Sequence, residues 1–137
     1  MGKALGIDYG TKRTGIAITD ATQIIASGLT TVATHTLTDF IANLVQKETI
    51  ECFVVGDPKN LDGTATDSTN HVNGFVKRIK QKYPDILIYQ IDERFTSKIA
   101  KQSILESGVK KKGRQNKALV DEVSATIILQ SFLDYKS

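Results

Sequence analysis

The sequence predicts one α/β domain built on a mixed β-sheet with helices on its faces, and three observations carry that expectation. The N-terminal third alternates apolar and polar residues in three closely spaced segments, the pattern of antiparallel strands. The run ECFVVG at 51–56 is continuously apolar, as in a strand buried on both faces of a sheet. Helical periodicities separate the later strands, which therefore need crossover connections.

Taken in order, Leu5, Ile7, Ile16 and Ile18 give the alternation of a hairpin (strands over 3–9 and 14–20), with Gly10 to Gly15 supplying its turn. A third strand is expected over 24–32. Thr36 or Thr38 caps a helix whose apolar positions Leu37, Phe40, Ile41, Leu44 and Val45 recur at helical spacing. The strand at 51–56 leads into a turn-rich loop over 56–63. A helix over 66–82 turns Val72, Phe75, Val76 and Ile79 to one face and stops before Pro84. A strand over 86–91 ends at Asp92-Glu93-Arg94, and Thr96 or Ser97 opens a helix through Ser107, stopped by Gly108. Residues 109–116 form a basic loop. A last helix over 117–134 buries Leu119, Val123, Ile127, Leu129 and Phe132. The order is β-β-β-α-β-α-β-α-α, one domain spanning 1–137 with no repeat and no linker.

A chain of 137 residues with 40% apolar and 24% charged residues can bury a real core. No apolar run approaches the roughly 20 residues that span a bilayer. The N-terminus runs straight into a strand with no secretory signal. The only cysteine, Cys52, sits in an apolar run as a buried, inert thiol. A cytoplasmic protein with no membrane association is expected. The net charge of +3 is unevenly spread, because residues 77–117 hold twelve Lys or Arg against four Asp or Glu. Such a segment is either a phosphate-binding surface or a solvated helix face.

Asp8 ends an apolar strand, where a carboxylate is costly unless something pairs with it. Lys12 and Arg13 in the following turn could pair with it, and so could a metal ion. Glu93, with Asp92 beside it, follows the last strand, and Asp121 lies in the opening turns of the final helix. If the first, fourth and fifth strands are parallel, their C-terminal ends share one edge, the usual place for a ligand crevice. Three carboxylates gathered there repel one another unless a divalent cation sits among them. Oxygen ligands without His or Cys favour Mg²⁺ or Mn²⁺, and one or two such ions would suit phosphodiester hydrolysis. The alternative is that each acid is a cap or half of a surface ion pair.

Four segments sharpen this choice: GIDYGTKRTGIA (6–17), VVGDPKNLDGT (54–64), DERFTS (92–97) and VDEVSA (120–125). In that order, across nearly the whole chain, they resemble the signature blocks of the YqgF (RuvX-like) family. Its members are RNase H-like bacterial proteins described as nucleases processing the 5′ end of pre-16S rRNA and as Holliday junction resolvases. The resemblance implies an RNase H-like five-stranded mixed sheet of order 3-2-1-4-5 with strand 2 antiparallel. It implies catalytic, metal-binding carboxylates at Asp8, Glu93 and Asp121. Two departures stand out. Asp57 occupies a position usually apolar in the family, and ATDSTN at 65–70 replaces a Gly-Pro-Arg-like stretch, which removes a basic residue from that loop.

Other candidates lie around these acids. Lys12 and Arg13 either hold a phosphate, with Arg13 able to bind it bidentately, or pair with Asp8 or Glu93. Arg94 contacts substrate or pairs with Asp121 or Asp8. Lys110, Lys111, Lys112 and Arg114 are candidates for backbone contact with nucleic acid, which positions without reading sequence. Lys59 and Asn60 belong to the loop at the same edge. Tyr9 packs half-buried or stacks on a base. His35 and His71 have no metal-ligand spacing and suit capping or surface roles.

The predicted activity is metal-dependent phosphodiester hydrolysis in pre-16S rRNA processing, with junction resolution as the alternative. The partner is structured RNA or branched DNA, and the protein is a monomer or a homodimer. Two competitors are weaker. The 8–15 hairpin also resembles the phosphate-binding hairpin of the sugar-kinase and actin superfamily, but the chain is too short for the second lobe those proteins close over a nucleotide. A non-catalytic binding module is disfavoured by retention of all three carboxylates.

Overall fold

The computed structural model describes residues 2–57, 67–92 and 117–136. Its elements are β1 (Lys3–Asp8), β2 (Arg13–Thr19), β3 (Ala26–Ala33), a 3₁₀ turn (Thr34–Thr36), α1 (Leu37–Lys47), β4 (Ile50–Asp57), α2 (Asp67–Lys82), β5 (Leu87–Asp92) and α3 (Lys117–Lys136). The helix expected up to Ser107 and the basic loop at 109–116 lie outside the described residues.

The five strands form one sheet in the order β3-β2-β1-β4-β5, as expected. β2 runs antiparallel to both β1 and β3, while β4 is parallel to β1 and to β5. The ends of β1, β3, β4 and β5 and the start of β2 therefore meet at one edge.

Strand alternation sorts the core into two layers. Leu5, Ile7, Ile16, Phe53 and Val55 face α1 and α2, where they pack with Leu37, Ile41, Val72, Phe75 and Ile79. Ala4, Ala17, Cys52 and Val54 face α3, against Ala125, Ile128, Leu129, Phe132 and Leu133. Each large side chain buried here contributes about 1.5–3 kcal/mol. The first layer is built from large residues and the second from small ones on the sheet side, so α3 lies closer to the strands.

That closeness decides which face α3 buries. A Cβ on Gly6 would lie 2.8 Å from Leu129 Cβ and 3.0 Å from the Ala125 carbonyl oxygen. A Cβ on Gly15 would lie 2.0 Å from the Asp121 carbonyl oxygen. The buried stripe is accordingly Ala125, Ile128, Leu129, Phe132 and Leu133. The expected face was partly different: Leu129 and Phe132 are buried, Val123 and Ile127 are only half-buried, and the Leu119 side chain lies outside the described residues. The helix is rotated so that its backbone meets Gly6 at Ala125 and Gly15 at Asp121.

Two local expectations are also corrected. Thr36 precedes α1 but makes no side-chain cap, because its hydroxyl donates to the Ala33 carbonyl at 2.7 Å. Ile24 and Ile25 precede β3 rather than belonging to it, since Asp20 takes their N–H groups at 2.9 and 3.0 Å. The N–H of Ile25, the Thr22 hydroxyl and the N–H of Ile24 together hold the Asp20 carboxyl well below its ordinary range.

A carboxylate lowered on folding stabilises fully above its unfolded pKa, and that stability drains away as pH falls toward the folded value. The melting-temperature advantage of wild type over Asp20→Ala is therefore constant at neutral pH and shrinks below about pH 4. Thermal melts across that range check it, and an advantage that persists undiminished at about pH 2 contradicts it.

Candidate active site

Asp8 is the last residue of β1 and pairs with Gly15 of β2 across the antiparallel ladder. It alternates with Ala4 and Gly6, so it lies on the face of the sheet that α3 covers. The close approach at Gly15 brings the α3 backbone to that same point, with Asp121 as the residue in contact. A residue of β1 and a residue of α3, more than a hundred positions apart in sequence, thus flank one glycine.

Arg13 opens β2 on the same face. Its Nε donates to Asp121 Oδ2 at 2.9 Å, with both side chains partly exposed. This ion pair differs from the partners weighed for Arg13 in the sequence, Asp8 and Glu93. The bond runs through Nε, so the Nη hydrogens of the same fork are not spent on it. Lys12, the residue before, is exposed at the turn.

The turn itself is fastened by a residue that the sequence did not single out. Thr34 donates its hydroxyl to the Gly10 carbonyl at 2.6 Å and its N–H to the Lys12 carbonyl at 3.0 Å. Because the Thr34 proton is spent on Gly10, the Thr14 hydroxyl donates to Thr34 Oγ1 at 2.9 Å. Three bonds therefore tie the turn carrying Lys12 and Arg13 to the end of β3. Thr34→Val removes both hydroxyl bonds and should cost about 1–2 kcal/mol, with Thr34→Ser recovering most of it. Thermal denaturation of the two variants measures this; equal melting points for Val and Ser would show that the hydroxyl is idle.

Asp57 and Asp92 end β4 and β5 directly beside each other. They alternate with Phe53 and Val55, and with Ile88, on the face of α1 and α2, opposite the face of Asp8. Glu93 is the next residue after β5 and lies outside the described residues, as do Lys59, Asn60, Arg94, Lys110, Lys111, Lys112 and Arg114. Among the described residues no three His, Cys, Asp or Glu side chains gather as a metal cage. The carboxylates of Asp8 and Asp121, on two elements that meet at Gly15, are oxygen donors of the kind a hard divalent cation takes.

Tyr9 packs rather than projecting outward: its ring stacks on Phe75 of α2 with centroids 4.6 Å apart. A hollow of about 330 Å³ bordered by Cys52, Leu87, Tyr89, Ile91 and Phe132 lies along β4, β5 and α3, and its lining includes neither Asp8 nor Asp121.

With this geometry in view, comparison with known proteins is informative. The RuvX family, described as "Holliday junction resolvase", matches residues 2–135. The chain belongs to that family. The "Putative pre-16S rRNA nuclease" of Flavobacterium johnsoniae is 53% identical over 136 residues, covering 99% of each chain. That of Phocaeicola vulgatus is 54% identical over 136 residues, covering 99% of this chain and 98% of the relative. Among solved structures, Thermus thermophilus RuvC in complex with Holliday junction substrate matches with a TM-score of 0.61 at 14% identity, covering 100% of this chain and 97% of that one. The yeast mitochondrial Holliday junction resolvase Ydc2 matches with a TM-score of 0.57 at 10% identity, covering 97% and 78%. At such identities these two show the fold alone, the RNase H-like sheet that the RuvX signature blocks imply.

Proposed function

We propose that this RuvX-family chain is a metal-dependent nuclease that hydrolyses phosphodiester bonds in the 5′-end processing of pre-16S rRNA. The observation that carries the proposal is a convergence on Gly15 of β2: Asp8 of β1 pairs with it, the α3 backbone at Asp121 packs against it, and Arg13 of the same strand bonds the Asp121 carboxylate. The names of relatives at 53–54% identity over nearly the whole chain support the RNA substrate.

Asp8, Asp121 and Glu93 are the residues that would hold Mg²⁺ or Mn²⁺. When bound, the ion lowers the pKa of a water and stabilises the leaving oxygen. The protein's own groups do the rest. Arg13, steadied by Asp121, offers its remaining fork hydrogens to a phosphate oxygen, and Lys12 adds a point charge beside it. The turn held by Thr34 fixes both cations relative to Asp8. Lys59, Asn60, Arg94, Lys111, Lys112 and Arg114 are proposed backbone contacts further along the substrate. Among the described residues no helix is long and apolar enough to cross a membrane, and a cytoplasmic site of action fits the rRNA substrate.

The second reading, resolution of branched DNA, is favoured by the family description and the resolvase-like fold. A resolvase must cut two strands, and so calls for a dimer with paired sites, whereas an RNA processor can work as a monomer. Incubating the purified protein with a pre-16S 5′ fragment and with a synthetic four-way junction, under Mg²⁺, Mn²⁺ or chelator, tests both. RNA cleavage abolished by chelator is expected. Cleavage of the junction alone transfers the assignment to the resolvase, and cleavage of neither removes the nuclease reading.

A further inference from the structure

Arg13 spends part of its guanidinium on Asp121, but a second arginine reaches the Asp8 edge from the other face of the sheet. Arg78 lies on the exposed side of α2. Its Nη1 sits 3.5 Å from where a Cβ on Gly74 would be, so the side chain folds back one turn toward the start of the helix. There its Nη2 rests 3.5 Å from the Tyr9 hydroxyl, toward which it donates. Tyr9 directly follows Asp8, and its ring is fixed by the stack on Phe75, 4.6 Å centroid to centroid at 21°.

The guanidinium is thus placed beside the Tyr9 hydroxyl, one residue past Asp8, with the Gly74 turn leaving room for it. Among the described residues no carboxylate pairs with it. α2 offers none nearby, since its only acid is Asp67, at the far end of the helix, while Lys77, Arg78, Lys80 and Lys82 crowd its second half. No ion pair among the described residues accounts for this arginine.

We propose that Arg78 is a phosphate-binding residue for the nucleic-acid backbone, on the α2 side of the site and distinct from the Lys12–Arg13 turn. The strand that crosses the edge over Asp8 is gripped on both faces of the sheet. Arg13 takes the α3 side, and Arg78 takes a neighbouring, non-scissile phosphate on the α2 side. A planar fork with most of its donors turned to solvent suits a phosphate in two-point contact, and the long tether to Tyr9 is weak enough to yield to it. The role deepens the nuclease reading but does not require cleavage: it is a claim about binding.

Binding is therefore measured apart from catalysis, with the full-length protein in chelator and a fluorescein-labelled pre-16S 5′ fragment, by anisotropy across a salt series. Arg78→Gln should weaken binding roughly five- to tenfold at low salt, and the slope of log K against log salt should fall by about 0.7–0.9, one phosphate contact. Arg78→Lys should keep the slope with intermediate affinity. Tyr9→Phe, which keeps the stack and loses the hydroxyl, should show a small loss of affinity with the slope unchanged. A slope and affinity for Arg78→Gln equal to wild type overturn the proposal, whether or not the wild-type protein cleaves. A wild type that binds with this slope difference yet cuts no substrate overturns only the nuclease reading.

Discussion

Asp8→Asn is expected to lower the cleavage rate by about a thousandfold or more while leaving the melting temperature unchanged or slightly raised. The substitution keeps the size and shape of the side chain and removes its charge. If Asp8 holds a divalent ion, losing that anionic ligand removes several kcal/mol of transition-state stabilisation, and about 4 kcal/mol is a thousandfold. Asp8 and Asp121 both border Gly15, and if their carboxylates share an ion, neutralising one of two like charges relieves repulsion in the ion-free protein. The combination discriminates, because a structural acid would cost stability and spare the rate. Single-turnover cleavage beside a thermal melt provides the check. A rate within tenfold of wild type would falsify the assignment of Asp8.

Gly15→Ala should damage fold and activity together. The new Cβ would lie 2.0 Å from the Asp121 carbonyl oxygen and 2.4 Å from its carbon, both backbone atoms that cannot swing aside. Reaching an ordinary contact of 3.4 Å pushes α3 outward by roughly 1.4 Å at its catalytic end. Overpacking of this kind costs about 1–3 kcal/mol, a fall in melting temperature of roughly 5–10 °C for a domain of this size. A displacement near 1 Å of a catalytic group costs on the order of a hundredfold in rate. Assays well below the melting point of the variant separate the two losses. Gly15→Ala with full activity would mean that Asp121 is not needed where α3 now holds it.

The strands were legible because each rests on a local pattern: alternation in β1 and β2, a doubly apolar run in β4, and helical crossovers before β4 and β5. Their order in the sheet was legible only through the family resemblance of the four signature blocks. Asp8 was legible for the same reason, as a charge at the end of an apolar strand. What failed to show was set by partners distant in sequence. The buried face of α3 depends on Gly6 and Gly15, and nothing within the helix reveals that Ala125 must turn toward the first and Asp121 toward the second. Thr34 left no signal, because a hydroxyl that meets a carbonyl 24 residues away creates no periodicity. Ile24 read as strand because side-chain alternation says nothing about an aspartate competing for its N–H. Arg78 was seen only as one charge in a basic segment, since its meeting with Tyr9 depends on how α2 docks.

The Arg13–Asp121 pair spans 108 residues of chain, whereas Asp8 and Arg13 belong to one hairpin. Half of the site is therefore local and closes on microsecond timescales, while the other half waits for one of the longest loops in the domain to be closed. During refolding, recovery of activity should lag behind β-hairpin signals and coincide with the docking of α3. In the native state, any opening that lifts α3 from the sheet disassembles the site before the hairpin unravels. If Asp8, Arg13 and Asp121 act together as proposed, catalytic competence is a report on the last long-range contact the chain makes.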